Sequence, residues 1–340
     1  MSSPYFFSLL LVVRNEEKYI ANLLERMIHQ DFDANAYEMI VVDGMSDDRT
    51  PEIIQDYVNR FPNRIKFYTN PKKTLPVGWN IAIKHSSGKY VLRVDGHSQV
   101  EPDFLKRYYS VIQKHPEATC VGGVIDTKGI GFWGEVNAYV YSHIFGVGNS
   151  KFRITTKEWE GYVDTVPYGA YKREIFDKVG LFNESLKRNE DIEMHARIRK
   201  AGGRFFLSTT IQSVYFARDS YKAFVKKSYD DGKWGMIASR DGKGTLRLRH
   251  LIPLVAFLFG VLLVVASFFF KPAFETLYTL AGIYFVLCVI SSFPLIKIQG
   301  LSSFFAAILA FFSLHFSRGI GMTVGLCSPY FWRGKEHVSK

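Results

Sequence analysis

Two short acidic motifs in this chain have the residue types that metal binding and proton transfer require. Asp95-Gly96-His97 follows a short apolar run, and Glu190-Asp191 opens a helical pattern. A carboxylate and an imidazole two positions apart can hold a divalent cation, which would neutralise a bound diphosphate. A carboxylate at the start of a helix can accept the proton of an attacking hydroxyl group. Each motif also has a simpler interpretation, as a solvated Asp-Gly turn or as favourable charges at a helix N-terminus.

A third carboxylate, Asp43, is expected to lie near Asp95. The two residues stand at the ends of predicted β-strands at residues 37–42 and 90–94. The carboxyl ends of parallel strands meet at one edge of a sheet, and open α/β sheets bind ligands at that edge. The sequence therefore predicts that Asp43 and Asp95 are neighbours at a ligand-binding edge.

The sequence pattern alternates between strands and helices, and these elements would position the acids. It predicts an α/β fold with a mostly parallel, Rossmann-like sheet and right-handed crossovers. From residue 128 to 164 the pattern weakens, which indicates a long mobile region with short helices. The predicted strands are residues 6–13, 37–42, 65–68, 90–94, 119–125, 204–208 and 213–216, and ordered structure is expected to resume at 166–171. The predicted helices are residues 17–30, 51–61, 74–85 and 103–114, one from about 173, and 191–201.

Charge and hydropathy set the C-terminal third apart. Residues 251–270 contain no charged side chain and are long enough to cross a bilayer, and residues 273–296 form a second candidate span. Residues 301–327 are predicted to be a third span or an interfacial helix, because Arg318 interrupts the apolar run. Eight basic residues lie between positions 222 and 249, so the positive-inside rule places the preceding domain in the cytoplasm.

The net charge and the cysteines limit the classes of partner and compartment. A formal net charge of +11 predicts anionic partners, such as phosphates or a membrane surface. A nucleic-acid partner is not expected, because the basic residues lie beside the apolar segments and no reading motif occurs. Three cysteines do not form a disulfide framework, which favours a reducing compartment for the soluble part.

The order of the motifs resembles that of the inverting family 2 glycosyltransferases with the GT-A fold, over roughly residues 6–235. Asp-x-His in place of Asp-x-Asp is typical of the succinoglycan-type exopolysaccharide branch, whose members also carry a C-terminal membrane region. Only the tryptophan remains of the Gln-x-x-Arg-Trp motif of processive synthases, which argues against a processive polymer synthase. The matching segments are RNEE, VVDGMSDDRT, VDGH, YGAYKREIFDKVGLFNE and NEDIEMHARIRKAGG.

The resemblance implies a role for each matching residue. Asp191 is expected to be the catalytic base, with Glu190 beside it. Asp95 and His97 are expected to hold Mn²⁺ or Mg²⁺, and the imidazole favours Mn²⁺. The residues expected to bind the nucleotide sugar are Val13, Glu16, Asp43 (at the uracil), Asn80 and Asp95. The residues expected on the acceptor side are Tyr168, Gly169 and Trp234.

The resulting hypothesis is a membrane-attached, inverting, metal-dependent hexosyltransferase. It would move a hexose, with glucose expected, from a UDP-sugar to a polyprenyl-linked or other saccharide acceptor in exopolysaccharide or cell-surface polysaccharide synthesis. Two alternatives stay open: a polyprenyl phosphate glycosyltransferase and a non-catalytic scaffold of a polysaccharide assembly complex. The expected location is the inner (cytoplasmic) membrane, crossed more than once, with the catalytic domain on the cytoplasmic side. The predicted domains are a catalytic domain at 1–235, a basic linker at 236–250, a membrane region at 251–327 and a basic tail at 328–340.

Overall fold

The computed structural model describes residues 5–96, 98–241 and 244–332. The chain forms two compact units, which are described separately. The first comprises Met1–Asp126 and Thr155–Tyr215, and the second comprises Thr127–Ile154 and Phe216–Lys340. The sheet, with every predicted acidic site residue, is built mainly from the first unit, and four long helices belong to the second.

An eight-stranded mixed sheet has the order β3-β2-β1-β4-β7-β5-β8-β6. The first four strands run parallel, and β7 is antiparallel to both β4 and β5. The strands are β1 (Phe7–Val13), β2 (Tyr37–Asp43), β3 (Ile65–Thr69), β4 (Tyr90–Asp95), β5 (Cys120–Lys128), β6 (Glu160–Val163), β7 (Ala170–Lys172) and β8 (Phe205–Phe216).

Helices connect the strands of the first unit and cover the sheet. In the first of them, the apolar residues recur at helical spacing and are all buried, as the sequence predicts. The helices of this unit are α1 (Ile20–Ile28), α2 (Thr50–Arg60), α3 (Leu75–His85), α4 (Phe104–Lys114), α8 (Ile175–Val179) and α9 (Glu190–Lys200).

Strand register places the predicted carboxylates at one edge of the sheet. Val13 of β1 is paired with Asp43 of β2, and Val12 is paired with Asp95 of β4. The strand β1 therefore lies between the two acids, so their backbones are two strand spacings, about 10 Å, apart. The strands are buried almost throughout, because apolar side chains cover both faces of the sheet.

Two regions differ from the prediction. The predicted short strands at 204–208 and 213–216 are one continuous strand, β8, since the polar residues between them also adopt the extended conformation. Between 128 and 164 the predicted short helices are present as α5 (Gly131–Ser142), α6 (Ile144–Val147) and α7 (Lys151–Ile154), and the strand β6, which was not predicted, follows them. The helix α5 buries residues on several sides, which explains its weak amphipathic pattern.

The C-terminal helices are α10 (Tyr221–Asp241), α11 (Leu248–Ser267), α12 (Lys271–Gln299), α13 (Leu301–Cys327) and α14 (Pro329–Trp332). Three segments among the described residues are long and apolar enough to cross a membrane: His250–Ser267, Lys271–Gln299 and Leu301–Cys327. They differ in packing, because in an apolar 18-residue stretch of each segment 11%, 22% and 50% of the residues, respectively, are buried within the protein.

Candidate active site

Hydrogen bonds join the loop after β1 to the loop after β2 and so define one side of the candidate site. The hydroxyl and the backbone N–H of Ser46 both donate to the carboxylate of Asp43. The same hydroxyl accepts from the backbone N–H of Asn15 at 2.8 Å, and the Asn15 side chain accepts from the N–H of Asp47 at 3.0 Å. Asp43 is only 2% exposed, so its carboxylate orders this loop independently of any ligand.

Close packing brings Asp95 to the same place. A Cβ atom at Gly96 would lie 2.8 Å from Cγ1 of Val13 and 3.2 Å from Cγ of Glu16, so only glycine allows this approach. The backbone N–H of Glu16 is in turn held by the hydroxyl of Thr50 at 2.8 Å. The structure therefore brings together four of the five residues predicted to bind a nucleotide sugar, with Asn80 the exception. His97 lies outside the described residues.

Asn80 lies in a different environment. Its amide group donates to the carbonyl oxygen of Phe182 at 2.9 Å and accepts from the N–H of the same residue at 2.9 Å. It also donates to the carboxylate of Glu184 at 3.1 Å. These contacts give Asn80 a structural role in holding the segment that leads to α9, and its predicted contact with the nucleotide sugar stays a prediction.

The start of α9 carries the second predicted acidic pair. Asn189 precedes the helix with φ 60°, a left-handed conformation that asparagine tolerates. Glu190 is 4% exposed, whereas Asp191 is half-buried. One oxygen of Glu190 lies 3.5 Å from the guanidinium of Arg93, and both side chains are largely shielded from solvent.

Arg93 is the residue of this site that the sequence analysis missed. It lies on β4 two positions before Asp95, so both side chains point to the same face of the sheet. Its guanidinium stacks 4.4 Å from the ring centre of Trp79 and 5.3 Å from that of Phe182. The available signal was a charged residue inside a strand that is otherwise apolar, because buried charges are rare unless they are paired.

The electrostatics of Glu190 show that these groups share one neighbourhood. Burial raises the pKa of Glu190 to about 7, and the negative charges of Asp191 and Asp95 act in the same direction. The positive charge of Arg93 opposes this shift. Asp95, which is almost 100 positions away in the sequence, is thus close enough to Glu190 to affect its ionisation.

His195, on the buried side of α9, connects this helix to the residues before it through two hydrogen bonds. Its ring nitrogens contact the hydroxyl of Thr165 at 2.7 Å and the hydroxyl of Tyr171 at 2.6 Å. Burial lowers the pKa of His195 to about 3, so the ring is neutral at physiological pH. His195 is therefore a buried core residue.

The predicted acceptor-side residues fall into two groups. Tyr168 has φ 44°, which is strained for a bulky residue, and its carbonyl oxygen accepts from Tyr108 at 2.6 Å. A Cβ atom at Gly169 would lie 2.5 Å from Sγ of Cys120, so glycine is required there. Trp234 belongs to the second unit, where its ring lies 6.3 Å from that of Tyr330.

Removing Arg93 should destabilise the protein. Arg93→Met would leave the Glu190 carboxylate buried without its cation, a change that costs about 3 kcal/mol of unfolding free energy at pH 8. The double variant Arg93→Met/Glu190→Gln should recover much of this loss, since no unpaired charge remains. Lys106→Met is the matched control, because the ion pair of Lys106 with Asp31 is exposed and worth less than about 1 kcal/mol. Denaturant titration in detergent measures all four proteins; equal losses for Arg93→Met and Lys106→Met would contradict the prediction.

The raised pKa of Glu190 predicts a pH-dependent stability. Between pH 4.5 and about 7 the folded protein retains a proton on Glu190 that the unfolded chain releases. Stability from this group is therefore present at low pH and is lost as pH rises through that window. Thermal unfolding of Glu190→Gln and wild type across pH 4 to 8 should show the variant gaining relative stability up to about pH 7 and no further change above it. A constant difference would show that Glu190 titrates normally.

The sequence of this chain is similar to those of known glycosyltransferases and of a polysaccharide biosynthesis protein. The sequence profile described as Glycosyl transferase family 2 matches residues 8–180. The chain is 30% identical over 272 residues to the "Dolichyl N-acetyl-alpha-D-glucosaminyl phosphate 3-beta-D-2,3-diacetamido-2,3-dideoxy-beta-D-glucuronosyltransferase" of Methanococcus voltae, covering 77% of this chain and 82% of that protein. It is 26% identical over 260 residues to the succinoglycan biosynthesis protein ExoA of Rhizobium meliloti (strain 1021), covering 74% and 76%.

A solved structure shares the fold. The mannosyltransferase PcManGT from Pyrobaculum calidifontis, in complex with GDP-Man and Mn²⁺, superposes with a TM-score of 0.62. The match covers 94% of this chain and 87% of that protein at 16% sequence identity. At this identity the likeness concerns the fold alone.

Proposed function

The chain belongs to glycosyl transferase family 2, and from this premise we propose that it moves a hexose from a UDP-sugar to a lipid-linked saccharide at the membrane surface. The family and the GT-A fold expected from the motifs are both confirmed. The observation that carries the proposal is the convergence of Asp95, Glu190 and Asp191 in one electrostatic neighbourhood near the carboxyl edge of the sheet. Such a group can bind a cation, which in turn can hold a diphosphate, and it can take up a proton at the same place.

The relatives support the class of acceptor. The name of the Methanococcus voltae protein describes transfer to a sugar carried on dolichyl phosphate, and ExoA is named for succinoglycan biosynthesis. The first name thus includes a lipid carrier, and the second includes a polysaccharide. We therefore infer that the acceptor of this chain is a saccharide on a polyprenyl carrier, in exopolysaccharide or surface polysaccharide synthesis, with glucose as the expected sugar.

A divalent cation fits the oxygen donors at this edge. The described residues contain no group of three or more His, Cys, Asp or Glu side chains that could hold an ion. Mg²⁺ and similar ions need fewer protein ligands where substrate phosphates complete the coordination, so Asp95 alone is a sufficient protein anchor. We propose that Asp95 holds Mn²⁺ or Mg²⁺, with His97 as the second expected ligand. When bound, the cation supplies positive charge that stabilises the diphosphate leaving group.

The remaining chemistry is assigned to the acids of α9. Asp191, half-buried at the first turn of the helix, is proposed to accept the proton of the acceptor hydroxyl as that oxygen attacks the anomeric carbon. Glu190 is held against Arg93 and is proposed to contact the acceptor or to position Asp191. A single base and one direct displacement predict inversion, so an α-linked donor would yield a β-linked product.

The donor is proposed to lie along the edge formed by the first two loops. Asp43 would accept the N–H of uracil, and Val13 and Glu16 would line the nucleotide. Asn80 would act mainly by holding the segment before α9. Tyr168 and Gly169 are proposed for the acceptor side, with the strained backbone of Tyr168 as the supporting observation.

Membrane attachment is proposed for the second unit. Its three long apolar helices are long enough to insert into a membrane. The basic residues before α11 favour the cytoplasmic side for the sheet-containing unit. The proposed location is the inner membrane, crossed more than once.

A transfer assay in membranes tests the proposal. Membranes that contain the full chain are given a panel of UDP-sugars and GDP-mannose, with a polyprenyl diphosphate-linked saccharide extract, and nucleotide release is followed with and without Mn²⁺. The expected result is release of UDP that requires both the saccharide-lipid and the metal, and that is lost in Asp191→Asn membranes. Transfer to bare polyprenyl phosphate would support the polyprenyl phosphate glycosyltransferase instead. Nucleotide-sugar binding with no transfer to any acceptor would support the scaffold.

A further inference from the structure

The middle and the end of α9 are fixed by contacts that do not involve the acidic pair at its start. The guanidinium of Arg197 donates to the carbonyl oxygen of Leu181 at 2.9 Å and pairs with the carboxylate of Glu193 at 2.8 Å. His195 adds the two hydrogen bonds described above. The body of the helix therefore has anchors of its own, apart from its first two residues.

The first turn of α9 is held differently. Asn189 precedes this turn, and its side chain caps none of the helix N–H groups. The carboxylate of Asp191 accepts from the next backbone N–H at 2.8 Å, which is a contact inside the turn. The ion pair between Glu190 and Arg93 connects the turn to β4. This pair therefore links the acids of α9 to the strand that ends at Asp95.

Arg93 is held in a fixed orientation by aromatic side chains. Its guanidinium lies 4.4 Å from the ring centre of Trp79 and 5.3 Å from that of Phe182, and its side chain is 12% exposed. Asn80, the next residue of α3, bonds to the backbone of Phe182 through both ends of its amide group. A planar guanidinium stacks on aromatic rings, which the ammonium group of a lysine cannot do in the same way. The packing around Arg93 therefore sets the position of its guanidinium before any substrate binds.

Arg93 also balances the negative charge of the site. Burial lowers the pKa of Arg93, but the net shift is upward. The groups that favour the charged guanidinium are Tyr171, Glu190, Asp191 and Asp95. Like charges that lie close together repel each other, and more strongly where water is excluded. Without this cation, the carboxylates of α9 would be pushed away from Asp95.

We propose that Arg93 is a positioning residue for the transfer reaction: through Glu190 it holds the first turn of α9 so that Asp191 stands at a fixed distance from Asp95. In a direct displacement the base and the leaving group lie on opposite sides of the anomeric carbon, so this distance matters. A misplacement of about 1 Å can lower the rate by about 100-fold. The inference rests on the proposed function, because it takes Asp191 as the base and Asp95 as the anchor of the leaving group.

Steady-state kinetics of Arg93→Met test this role. The variant keeps Asp95 and Asp191, so kcat should fall by about 10- to 100-fold while the KM values for donor and acceptor change by less than about threefold. The full chain is assayed in detergent well below its unfolding temperature, because the variant is less stable. Arg93→Lys retains the charge but not the planar stacking, so its kcat should fall by only about 3- to 10-fold. An unchanged kcat in Arg93→Met, or a loss that appears only in KM, would overturn the proposal.

Arg197→Met is the matched control on the same helix. It leaves the carboxylate of Glu193, which is 3% exposed, buried without its cation, as Arg93→Met does for Glu190. The two variants should therefore lose similar amounts of unfolding free energy. Because Arg197 holds the body of α9 and not the acidic pair, its variant should keep kcat within about threefold of wild type. Equal losses of kcat in both variants would show that Arg93 acts only on helix packing, and this would contradict the proposal.

Hydrogen exchange on the full chain in detergent measures the positioning without any substrate. In the first turn of α9 the N–H of Glu193 bonds to the carbonyl oxygen of Asn189 at 3.1 Å. Arg93→Met should speed up exchange in peptides that cover residues 190–194 and leave exchange in β1 unchanged. In Arg197→Met the faster exchange should appear in the second half of the helix instead. Wild-type exchange at residues 190–194 in Arg93→Met would rule out the proposed tether.

This inference and the proposed function fail in different ways. A wild-type chain that transfers no sugar to any acceptor contradicts the proposed function, and with it the reaction that Arg93 would serve. A wild-type chain that transfers sugar, with Arg93→Met equally active, contradicts the positioning role of Arg93 alone.

Discussion

The Asp191→Asn variant is expected to lose transfer activity by about 10²- to 10⁴-fold while it binds the nucleotide sugar with unchanged affinity. The side chain keeps its size and its place at the start of α9, but an amide cannot accept the proton of the acceptor hydroxyl. The effect should therefore fall on kcat. Product formation in membranes measures the transfer activity, and calorimetric titration of the detergent-purified protein with UDP-sugar measures the affinity for the nucleotide sugar.

The control for this prediction is Asp177→Asn, which removes an exposed carboxylate from α8 in the same unit. Asp177→Asn should leave both the transfer activity and the affinity for the nucleotide sugar unchanged. If Asp191→Asn turns over at nearly the wild-type rate, Asp191 is not the base, and Glu190 becomes the acid to test. Loss of binding together with turnover would instead point to a folding defect, which circular dichroism would reveal.

The second large effect is expected from Asp95→Ala. If Asp95 anchors the cation, its removal should weaken metal-dependent binding of the UDP-sugar by about 100-fold or more, since even the loss of residues behind a metal ligand costs 10- to 100-fold. Titration of the variant with UDP at several Mn²⁺ concentrations measures this loss. The affinity of wild type should rise with Mn²⁺, whereas that of the variant should not respond.

The Asp95→Ala variant should also change the pH dependence of stability that is due to Glu190. The negative charge of Asp95 helps to raise the pKa of Glu190, so its removal should shift the pH window of stability of Glu190 downwards. A variant that keeps metal-responsive binding equal to wild type would remove Asp95 from the metal site. A variant that loses binding without any change in the pH window would place Asp95 further from Glu190 than the structure does.

Local signals were sufficient for the main elements of the first unit. The runs that became β1, β2 and β4 are apolar and short, and the helical spacing in α1 is regular, so each could be recognised from neighbouring residues. The acids at the strand ends follow from the same rule, because parallel strands share one edge. The mixed strand order of the sheet was harder to predict from the sequence, because β7 lies between β4 and β5 but comes from a distant part of the chain.

The partners of Glu190 could not be derived in this way. Arg93 is separated from Glu190 by 97 positions, and its stacking on Trp79 depends on the packing of α3 against the sheet. A charged residue in an apolar strand signals that a partner exists, but it does not indicate which residue it is. The same holds for His195, whose two hydroxyl partners lie on separate segments.

The family, the strand-helix alternation and the acidic motifs could be recognised from the sequence, because each rests on residue types close together in the chain. It also located the apolar helices, since hydropathy is a local property. The surroundings of Asp95-Gly96 and Glu190-Asp191 depend on tertiary structure: the fit of Gly96 against Val13 and the burial that raises the pKa of Glu190 both arise from segments that meet in space. The burial of half of an apolar stretch of α13 within the protein is likewise a tertiary fact, and hydropathy alone cannot distinguish a helix buried by protein from one buried by lipid.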